Sequence, residues 1–235
     1  MRTEVEIELY YTEKGTGEPF VFLHGNGEDS TYFENQIMYF GTRYHVIALD
    51  TRGHGRSPRG TAPFTIAQFA QDLYDFMEQH RIPRAVVLGF SDGANIAMRF
   101  AMRHPEMISA LILNGGNLNA KGVKWTTQIP IEIGYRIAKR FAAKSPGAKK
   151  NAEMLGLMVN DPNIQPGELA RITVPTLVIC GSGDMIRESH TKEIAASLPN
   201  ARLTILDGSH FIANERPAAF NRAVDDFLQS CQPDW

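Results

Sequence analysis

Short apolar runs and longer amphipathic segments alternate along most of the 235-residue chain. The runs have the length of buried strands, and the segments between them carry apolar positions at helical spacing. Residues 5–11 instead alternate apolar and polar side chains, as in a strand with one exposed face. This alternation predicts an α/β protein with a largely parallel sheet and helices on both of its faces. The other predicted strands fall at 20–23, 44–49, 85–88, 109–113, 175–180 and 201–206.

Capping residues mark where two of the helices begin. Thr65 and Gln68 resemble a capping box, and the apolar stripe that follows predicts a helix to about residue 79. Pro217 suits the first turn of a final helix that ends near residue 229. Both boundaries follow from local chemistry, because a capping side chain or a missing N–H satisfies the free end of a helix.

The alternation breaks between residues 117 and 169, where no strand is evident. Helical patterns near 131–143 and 152–159 favour a short helical cap, inserted over the strand ends of a single domain that spans residues 1–235. The alternative is a surface excursion without function. We favour the cap, because an insert of this length without structure is unusual in a compact domain unless it is functional.

Composition and charge narrow the class of protein. The formal net charge is −2 and charged residues are mixed along the chain, which predicts neither a nucleic-acid surface nor a polybasic membrane patch. Lys144, Lys149 and Lys150 fit a solvated face. Two cysteines, Cys180 and Cys231, make no disulfide framework. With no apolar secretory core at the start and no run of membrane-spanning length, we expect a cytoplasmic protein without a nucleic-acid or membrane partner.

The segment Gly89-Phe90-Ser91-Asp92-Gly93 lies between an apolar strand and a helical pattern. It matches G-x-S-x-G, in which a strained strand-to-helix turn lifts the serine Oγ clear of the sheet. The N-terminus of the following helix supplies free N–H groups and a positive dipole end where an anion would form. The alternative is a buried serine in an ordinary tight turn.

Three residues follow predicted strands directly: Ser91, Asp184 and His210. In an open parallel sheet these loops share one edge, where ligands bind. A serine hydroxyl needs a base within hydrogen-bond reach, and the base needs an acid that fixes its tautomer. We therefore expect Ser91 to attack, His210 to transfer the proton and Asp184 to orient His210. Taken singly, Asp184 could be a turn or capping residue and His210 a surface histidine.

The loop after the third predicted strand also carries charged side chains. Asp50 and Arg52 are expected to hold that loop as an internal pair, with His54 in a similar role, and His24 is expected to anchor the glycine loop at 24–27. No group of histidines, cysteines and acids has a convincing metal spacing, so we expect no metal.

Five segments in this order resemble the α/β-hydrolase superfamily, and together they cover nearly the whole chain. The resemblance implies an eight-stranded, mostly parallel sheet whose first hairpin is antiparallel. It also implies a catalytic triad of Ser91, Asp184 and His210, and no cofactor. The oxyanion hole would use the backbone N–H groups of Asn26 and Asp92. The segments are 24–27, 50–57, 89–93, 181–184 and 208–210.

Ser91-Asp92-Gly93 is similar to the subgroup that contains valacyclovir hydrolase and the biphenyl hydrolase-like proteins. In that subgroup the acid after the nucleophile is associated with binding the amino group of amino-acid esters. The alternative is that the Asp92 side chain points away and only its backbone matters. Haloalkane dehalogenases of this fold attack with an aspartate, and they are set aside because Ser91 occupies that place here. Lipases of this fold with more glycine in the loop that corresponds to 24–27 are set aside as well.

The expected function is that of a serine hydrolase, which cleaves small carboxylic esters, lactones or thioesters through an acyl-enzyme on Ser91. Hydrolysis of amino-acid esters, amides or C–C bonds by the same residues is an alternative, and a non-catalytic ligand receptor on the same fold is another. The partner would be a small ester-type substrate, and the oligomeric state stays open. The apolar part of the pocket is assigned to Phe90, Trp125, Tyr135 and Met185.

Overall fold

The computed structural model describes residues 6–231, which form a seven-stranded sheet in the order β1-β3-β2-β4-β5-β6-β7. Every neighbouring pair is parallel except β1 and β3. The predicted α/β class and mostly parallel sheet are therefore confirmed. The strands are β1 Tyr11–Lys14, β2 Pro19–Leu23, β3 His45–Leu49, β4 Ala85–Phe90, β5 Ile108–Asn114, β6 Thr176–Gly181 and β7 Ala201–Leu206.

The start of the sheet differs from the expectation of eight strands and a first antiparallel hairpin. Residue 5 of the predicted strand 5–11 lies outside the described residues, and residues 6–10 form no strand. The first strand is β1, and it pairs antiparallel with β3 rather than with its neighbour in sequence. Among residues 6–231 the sheet accordingly has seven strands.

The segment before β1 bonds to a loop instead of a strand. The Glu6 carboxylate accepts hydrogen bonds from the Arg52 guanidinium at 2.8 Å and from the Ala62 N–H at 2.9 Å. Ile7 and Leu9 are nevertheless buried in the apolar core. The alternating pattern therefore predicted correctly which side chains face the core. The polar side chain of Glu6 binds the loop after β3 instead of facing solvent from a strand.

The described residues contain eight helices, and two apolar clusters fill the spaces between the sheet and the helices that flank it. The larger cluster lies under α2, α3 and α6, and the other under α1 and α8. The helices predicted at 66–79 and 217–229 are confirmed. The helices are α1 Glu34–Phe40, α2 Ile66–Gln79, α3 Asp92–Arg103, α4 Trp125–Phe141, α5 Pro146–Asn160, α6 Glu188–Ser197, α7 Ile212–Glu215 and α8 Pro217–Ser230.

The segment 117–169 contains α4 and α5, which pack against each other. Helix α5 is fastened to the rest of the chain, since the Asn26 side-chain amide donates to the Met154 carbonyl at 2.8 Å and Arg59 pairs with Glu153 at 2.9 Å. We call residues 117–169 the cap segment. Its division from the remainder as a cap within a single domain stays a prediction.

The internal pair expected between Asp50 and Arg52 is wrong. The Asp50 carboxylate accepts hydrogen bonds from the backbone N–H groups of Ser30 at 2.7 Å and Arg56 at 2.8 Å. The buried Arg52 guanidinium instead meets both carboxylate oxygens of Asp72 on α2, each at 2.7 Å. The loop after β3 is therefore held from two directions, by α2 and by the segment before α1.

No helix among residues 6–231 has the length and apolar character needed to cross a membrane.

Candidate active site

Ser91 occupies the turn between β4 and α3 with φ 54° and ψ −118°. A positive φ is uncommon for a residue other than glycine. The turn is fastened by the Ser91 N–H, which donates to the Asn114 carbonyl at 2.8 Å. A Cβ at Gly89 would lie 2.2 Å from the Gly93 carbonyl oxygen, and one at Gly93 would lie 2.0 Å from the Leu23 carbonyl oxygen. The two glycines therefore let the strand, the turn and the helix approach closely enough to hold this strained serine.

The three residues predicted to act together are in contact. His210 Nε2 lies 3.0 Å from Ser91 Oγ, and His210 Nδ1 lies 2.7 Å from Asp184 Oδ1. Asp184 and His210 are buried, whereas Ser91 is partly accessible. A carboxylate beside Nδ1 favours the tautomer with a proton there, which leaves Nε2 free to accept the serine proton.

Pairing of β6 with β7 brings the acid and the histidine together. The loops after these strands are joined because the Gly183 N–H donates to the Gly208 carbonyl at 2.8 Å. A Cβ at Gly181 would lie 2.1 Å from the Ser209 carbonyl oxygen, so the loops approach at a glycine. Asp184 Oδ1 also accepts the Ile186 N–H at 2.8 Å, which fixes the orientation of its carboxylate.

The backbone N–H groups of Asn26 and Asp92, the candidate oxyanion donors, are free of hydrogen-bond acceptors within residues 6–231. Asp92 is the first residue of α3, where no preceding helical turn can accept its N–H. Asn26 lies between Gly25 and Gly27, and its side chain is tied to α5. Both groups could donate to a developing oxyanion without breaking a bond elsewhere.

His24 is buried and bridges two loops of the site. Its Nδ1 donates to the Gly25 carbonyl at 2.7 Å, and its Nε2 accepts the Thr51 N–H at 3.0 Å. Burial lowers the pKa of His24, so the ring is neutral at pH 7, as this bonding pattern requires. This geometry agrees with the expectation that His24 anchors the glycine loop.

The Asp92 carboxyl is buried beside the nucleophile. Its Oδ1 accepts the Asn95 side-chain amide at 3.1 Å, while its Oδ2 makes no hydrogen bond of standard geometry among the described residues, although the Asn26 side-chain amide lies near the carboxyl. Burial raises the pKa of Asp92 to about 6. A carboxylate with a free oxygen at this place is half-satisfied, and a cation or a polar group of a ligand could complete it.

Glu28 is an acid of the site that the sequence analysis missed. Its Oε2 accepts the Gly25 N–H at 3.2 Å, and burial raises the pKa of Glu28 to about 7. The Phe90 ring stacks on Tyr32 with centroids 4.3 Å apart and lies 4.8 Å from the His210 ring. An acid placed directly after a glycine loop was the available signal, but its burial depends on how the folded chain packs around it.

Gly115 is a second residue that the sequence analysis missed. It follows β5 with φ +63°, and a Cβ there would lie 2.8 Å from His210 Cε1 and 3.3 Å from Asp184 Oδ2. The glycine therefore leaves room for the contact between the histidine and the acid. The pair of glycines after a strand was the available signal, because such pairs mark close approach of backbone and side chains.

Replacing Gly115 with alanine is expected to lower kcat by about 100-fold, because the added methyl group pushes the imidazole away from its position. Steady-state kinetics and the thermal midpoint would be measured together. Gly167→Ala is the matched control, since a Cβ at Gly167 meets nothing within 4 Å. A Gly115→Ala protein with wild-type kcat would contradict the assignment of the site to this contact.

The predicted pocket residues fall in different surroundings. Phe90 is buried against His210, and Met185 follows Asp184 with its carbonyl accepting the Lys124 N–H at 2.8 Å. Trp125 is 73% exposed on α4. Tyr135 bonds through its hydroxyl to Asn160 on α5 at 3.2 Å. Neither Trp125 nor Tyr135 has a hydrogen bond or ring contact to the three central residues, and their assignment to the pocket stays a prediction.

The described residues hold no cluster of three or more histidine, cysteine, aspartate or glutamate side chains arranged for a metal ion.

A family model described as alpha/beta hydrolase fold matches residues 18–135. The chain is 25% identical over 257 residues to 3-oxoadipate enol-lactonase 2 of Acinetobacter baylyi, with 97% of this chain and 95% of the relative covered. It is 27% identical over 249 residues to the serine hydrolase BPHL of Homo sapiens, with 95% of this chain and 84% of the relative covered.

A solved structure, that of the enol-lactonase from Burkholderia xenovorans LB400, is similar with a TM-score of 0.80 at 25% identity. The similarity covers 95% of this chain and 97% of that one. The family model matches half of the chain, and these relatives align with nearly all of it. The chain therefore belongs to the α/β-hydrolase fold family, and it is a hydrolase.

Proposed function

We propose that this hydrolase cleaves small carboxylic esters, with lactones and thioesters in the same class, through an acyl-enzyme on Ser91. The observation that carries the proposal is the chain of contacts from Asp184 through His210 to Ser91 Oγ, at 2.7 and 3.0 Å. A serine at positive φ and two backbone N–H groups with no acceptor in the described part of the chain complete the arrangement that acyl transfer needs.

In the first half of the reaction, Ser91 Oγ attacks the carbonyl carbon while its proton passes to His210 Nε2. The negative charge of Asp184 stabilises the imidazolium that forms. The carbonyl oxygen becomes an oxyanion and accepts hydrogen bonds from the N–H groups of Asn26 and Asp92, each worth about 3–4 kcal/mol in the transition state. His210 then gives its proton to the leaving oxygen as the C–O bond breaks.

In the second half, His210 takes a proton from water as the water oxygen attacks the acyl carbon. His210 then returns the proton to Ser91 Oγ as the bond between Ser91 and the acyl group breaks, which releases the acid and restores Ser91. For an open ester the alcohol leaves before this step. For a lactone the leaving oxygen stays tethered to the acyl group, so one hydroxy acid is the product. The same residues serve both cases, because the reacting atoms are identical.

The cap segment supports small substrates. The Met154 carbonyl of α5 lies 2.8 Å from the side-chain amide of Asn26, whose backbone N–H is a proposed oxyanion donor. A helix held this close limits the space above Ser91. Lactones are part of the proposed substrate class because one relative is a 3-oxoadipate enol-lactonase, and the similarity to it extends over nearly the full length of both chains.

The test is a panel of p-nitrophenyl esters of increasing acyl length together with simple lactones, run beside labelling by a fluorophosphonate. We expect labelling of the wild type and the highest kcat/KM for the shortest esters. A folded protein that neither labels nor hydrolyses any member would contradict the proposal and favour a non-catalytic receptor. Hydrolysis confined to long acyl chains would contradict the small-substrate part alone.

Amino-acid esters are a second candidate substrate class, and the free Oδ2 of buried Asp92 favours them. An ammonium group near that oxygen would complete its hydrogen bonding. Since the pKa of Asp92 is about 6, the carboxylate is charged at pH 7–8 and neutral well below pH 6. A preference for amino-acid esters should therefore decline as the pH falls through about 6.

The matched measurement compares an amino-acid ester with its analogue that lacks the amino group. Asp92→Asn keeps the backbone N–H and removes the charge, so the preference for the amino ester should fall about tenfold. Asp207→Asn is the control, because 93% of the Asp207 side chain is exposed. Equal turnover of the two esters by the wild type would reject this second candidate and leave the first intact.

A further inference from the structure

Helix α4 presents a continuous apolar stripe to the solvent. The described residues expose nine large apolar side chains, and five of these lie on α4. The five are spaced four residues apart along the 17 residues of the helix. The stripe is about 25 Å long. Scattered exposed apolar residues are ordinary, whereas a contiguous set marks a binding surface. The α4 stripe consists of Trp125 (73% exposed), Ile129 (49%), Ile133 (52%), Ile137 (56%) and Phe141 (49%).

Other side chains of α4 are buried or pack on α5. Gln128 and Ala138 are buried, and Tyr135 bonds to Asn160 of α5. A Cβ at Gly134 would lie 3.3 Å from Leu155, so the two helices pack closely. Ile137 and Phe141, at the C-terminal end of the stripe, also line an open groove between α4 and α5, whereas Trp125 and Ile129 lie at the other end, away from α5.

Basic side chains border the stripe. Arg136, Lys139 and Arg140 are exposed on α4. The cap segment has eight lysines and arginines against four acids, whereas the remaining residues have sixteen against twenty-two. None of the eight cap cations forms an ion pair within residues 6–231. The cap segment therefore has a positive net formal charge and the rest of the chain a negative one, although charged residues are mixed along the sequence.

A cavity of about 630 Å³ lies at the N-terminal end of the stripe. Three cations, Lys121, Lys124 and Arg187, and one acid, Glu132, line it together with Trp125 and Ile129. It adjoins the loop that carries Asp184, since that loop pairs with the residues directly before α4. Cations and apolar side chains therefore occur together beside the proposed active site.

We propose that the α4 stripe docks on the surface of an anionic lipid bilayer. Helices of this kind lie in the interface, with apolar side chains among the acyl chains and Lys or Arg among the headgroups. Charge complementarity selects this occupant over a second copy of the chain, because two copies meeting at the stripe would bring their basic borders together. The proposal departs from the expectation of no membrane partner, which rested on charge averaged along the sequence.

The proposal is tested by co-sedimentation of the full chain with vesicles of phosphatidylcholine, with and without phosphatidylglycerol. We expect binding to the vesicles that contain phosphatidylglycerol and weakening of that binding as salt is raised. The chain has two tryptophans, so a Trp235→Phe background isolates Trp125. Its fluorescence should shift to shorter wavelength when those vesicles are added.

Ile133→Glu and Ile137→Glu should each lower the vesicle partition coefficient about tenfold or more, because each removes an apolar contact and adds a repelled charge. Arg136→Gln with Arg140→Gln should lower binding and flatten its salt dependence. Met38→Glu is the matched control, because Met38 is 58% exposed on α1, which packs against α8 and β3. All of these side chains are exposed, and the thermal midpoint checks each fold.

Two outcomes would overturn the proposal. The first is equal partitioning of the wild type and Ile133→Glu. The second is a dimer, seen by sedimentation equilibrium without lipid, that Ile133→Glu dissociates while no vesicle binds, which would assign the stripe to a second copy. Vesicle binding is measured without turnover, so its result is independent of the proposed hydrolysis.

Discussion

Alanine in place of Ser91 is expected to lower kcat/KM for short esters by about 10⁴- to 10⁶-fold and to abolish fluorophosphonate labelling. The substitution removes the atom that lies 3.0 Å from His210 Nε2 and leaves the rest of the site intact. The small remaining rate would come from the two oxyanion donors and from substrate binding. Initial rates and labelled-protein gels measure both effects on the same samples.

The control for this experiment is Ser182→Ala, which removes an exposed serine from the loop that leads to Asp184. That variant should label and turn over esters like the wild type. Ser91→Ala protein should keep its thermal midpoint, because among residues 6–231 the hydroxyl makes no hydrogen bond other than that to His210. Persistent labelling of folded Ser91→Ala would place the nucleophile elsewhere in the chain.

A second variant tests whether Ser91 and His210 act as one unit. His210→Ala should cost about as much as Ser91→Ala, and the double variant should be no slower than either single one. Independent contributions would instead multiply the two losses. The double variant therefore separates proton transfer between the two residues from two unrelated local effects.

The parts of the site that the sequence predicted are those encoded within a few residues. The turn at Ser91 follows from two glycines between a strand and a helix, and Asp184 and His210 follow the ends of neighbouring parallel strands. Strand order then fixes their proximity, because loops after adjacent parallel strands open at the same edge of the sheet. Local turn chemistry and the rule for loops after parallel strands were therefore sufficient to predict that Ser91, Asp184 and His210 lie together.

The parts that the sequence did not predict depend on contacts between distant segments. Gly115 matters only because it faces His210, and the pKa of Glu28 is raised only because the folded chain buries it. Helix α4 begins at Trp125, six residues before the start predicted near residue 131, and it contains Pro130. A proline inside a helix costs about 3 kcal/mol, so packing on α5 must offset a penalty that a local pattern cannot weigh.

The contacts of Arg52 also depend on residues distant in sequence, and its substitution has the largest expected effect on the free energy of unfolding. Its side chain is 1% exposed, and both of its acidic partners are distant in sequence, Asp72 by 20 residues and Glu6 by 46. Arg52→Met is expected to lower the free energy of unfolding by about 3–5 kcal/mol, because the buried Asp72 carboxylate loses its counter-charge and two hydrogen bonds. Urea denaturation measured by circular dichroism gives this value directly.

Arg43→Met is the matched control, because it also breaks an arginine–aspartate pair, but one whose arginine is 44% exposed. Its expected cost is below about 1 kcal/mol. The double variant Arg52→Met with Asp72→Leu should recover most of the loss, since a buried ion pair and a packed apolar pair are of similar stability. If Arg52→Met cost no more than Arg43→Met, the buried pair would contribute nothing beyond a surface contact. Recovery in the double variant, the expected result, would place the loss in the orphaned Asp72 carboxylate, whereas a double variant without recovery would show that the ion pair itself holds the loop after β3 on α2.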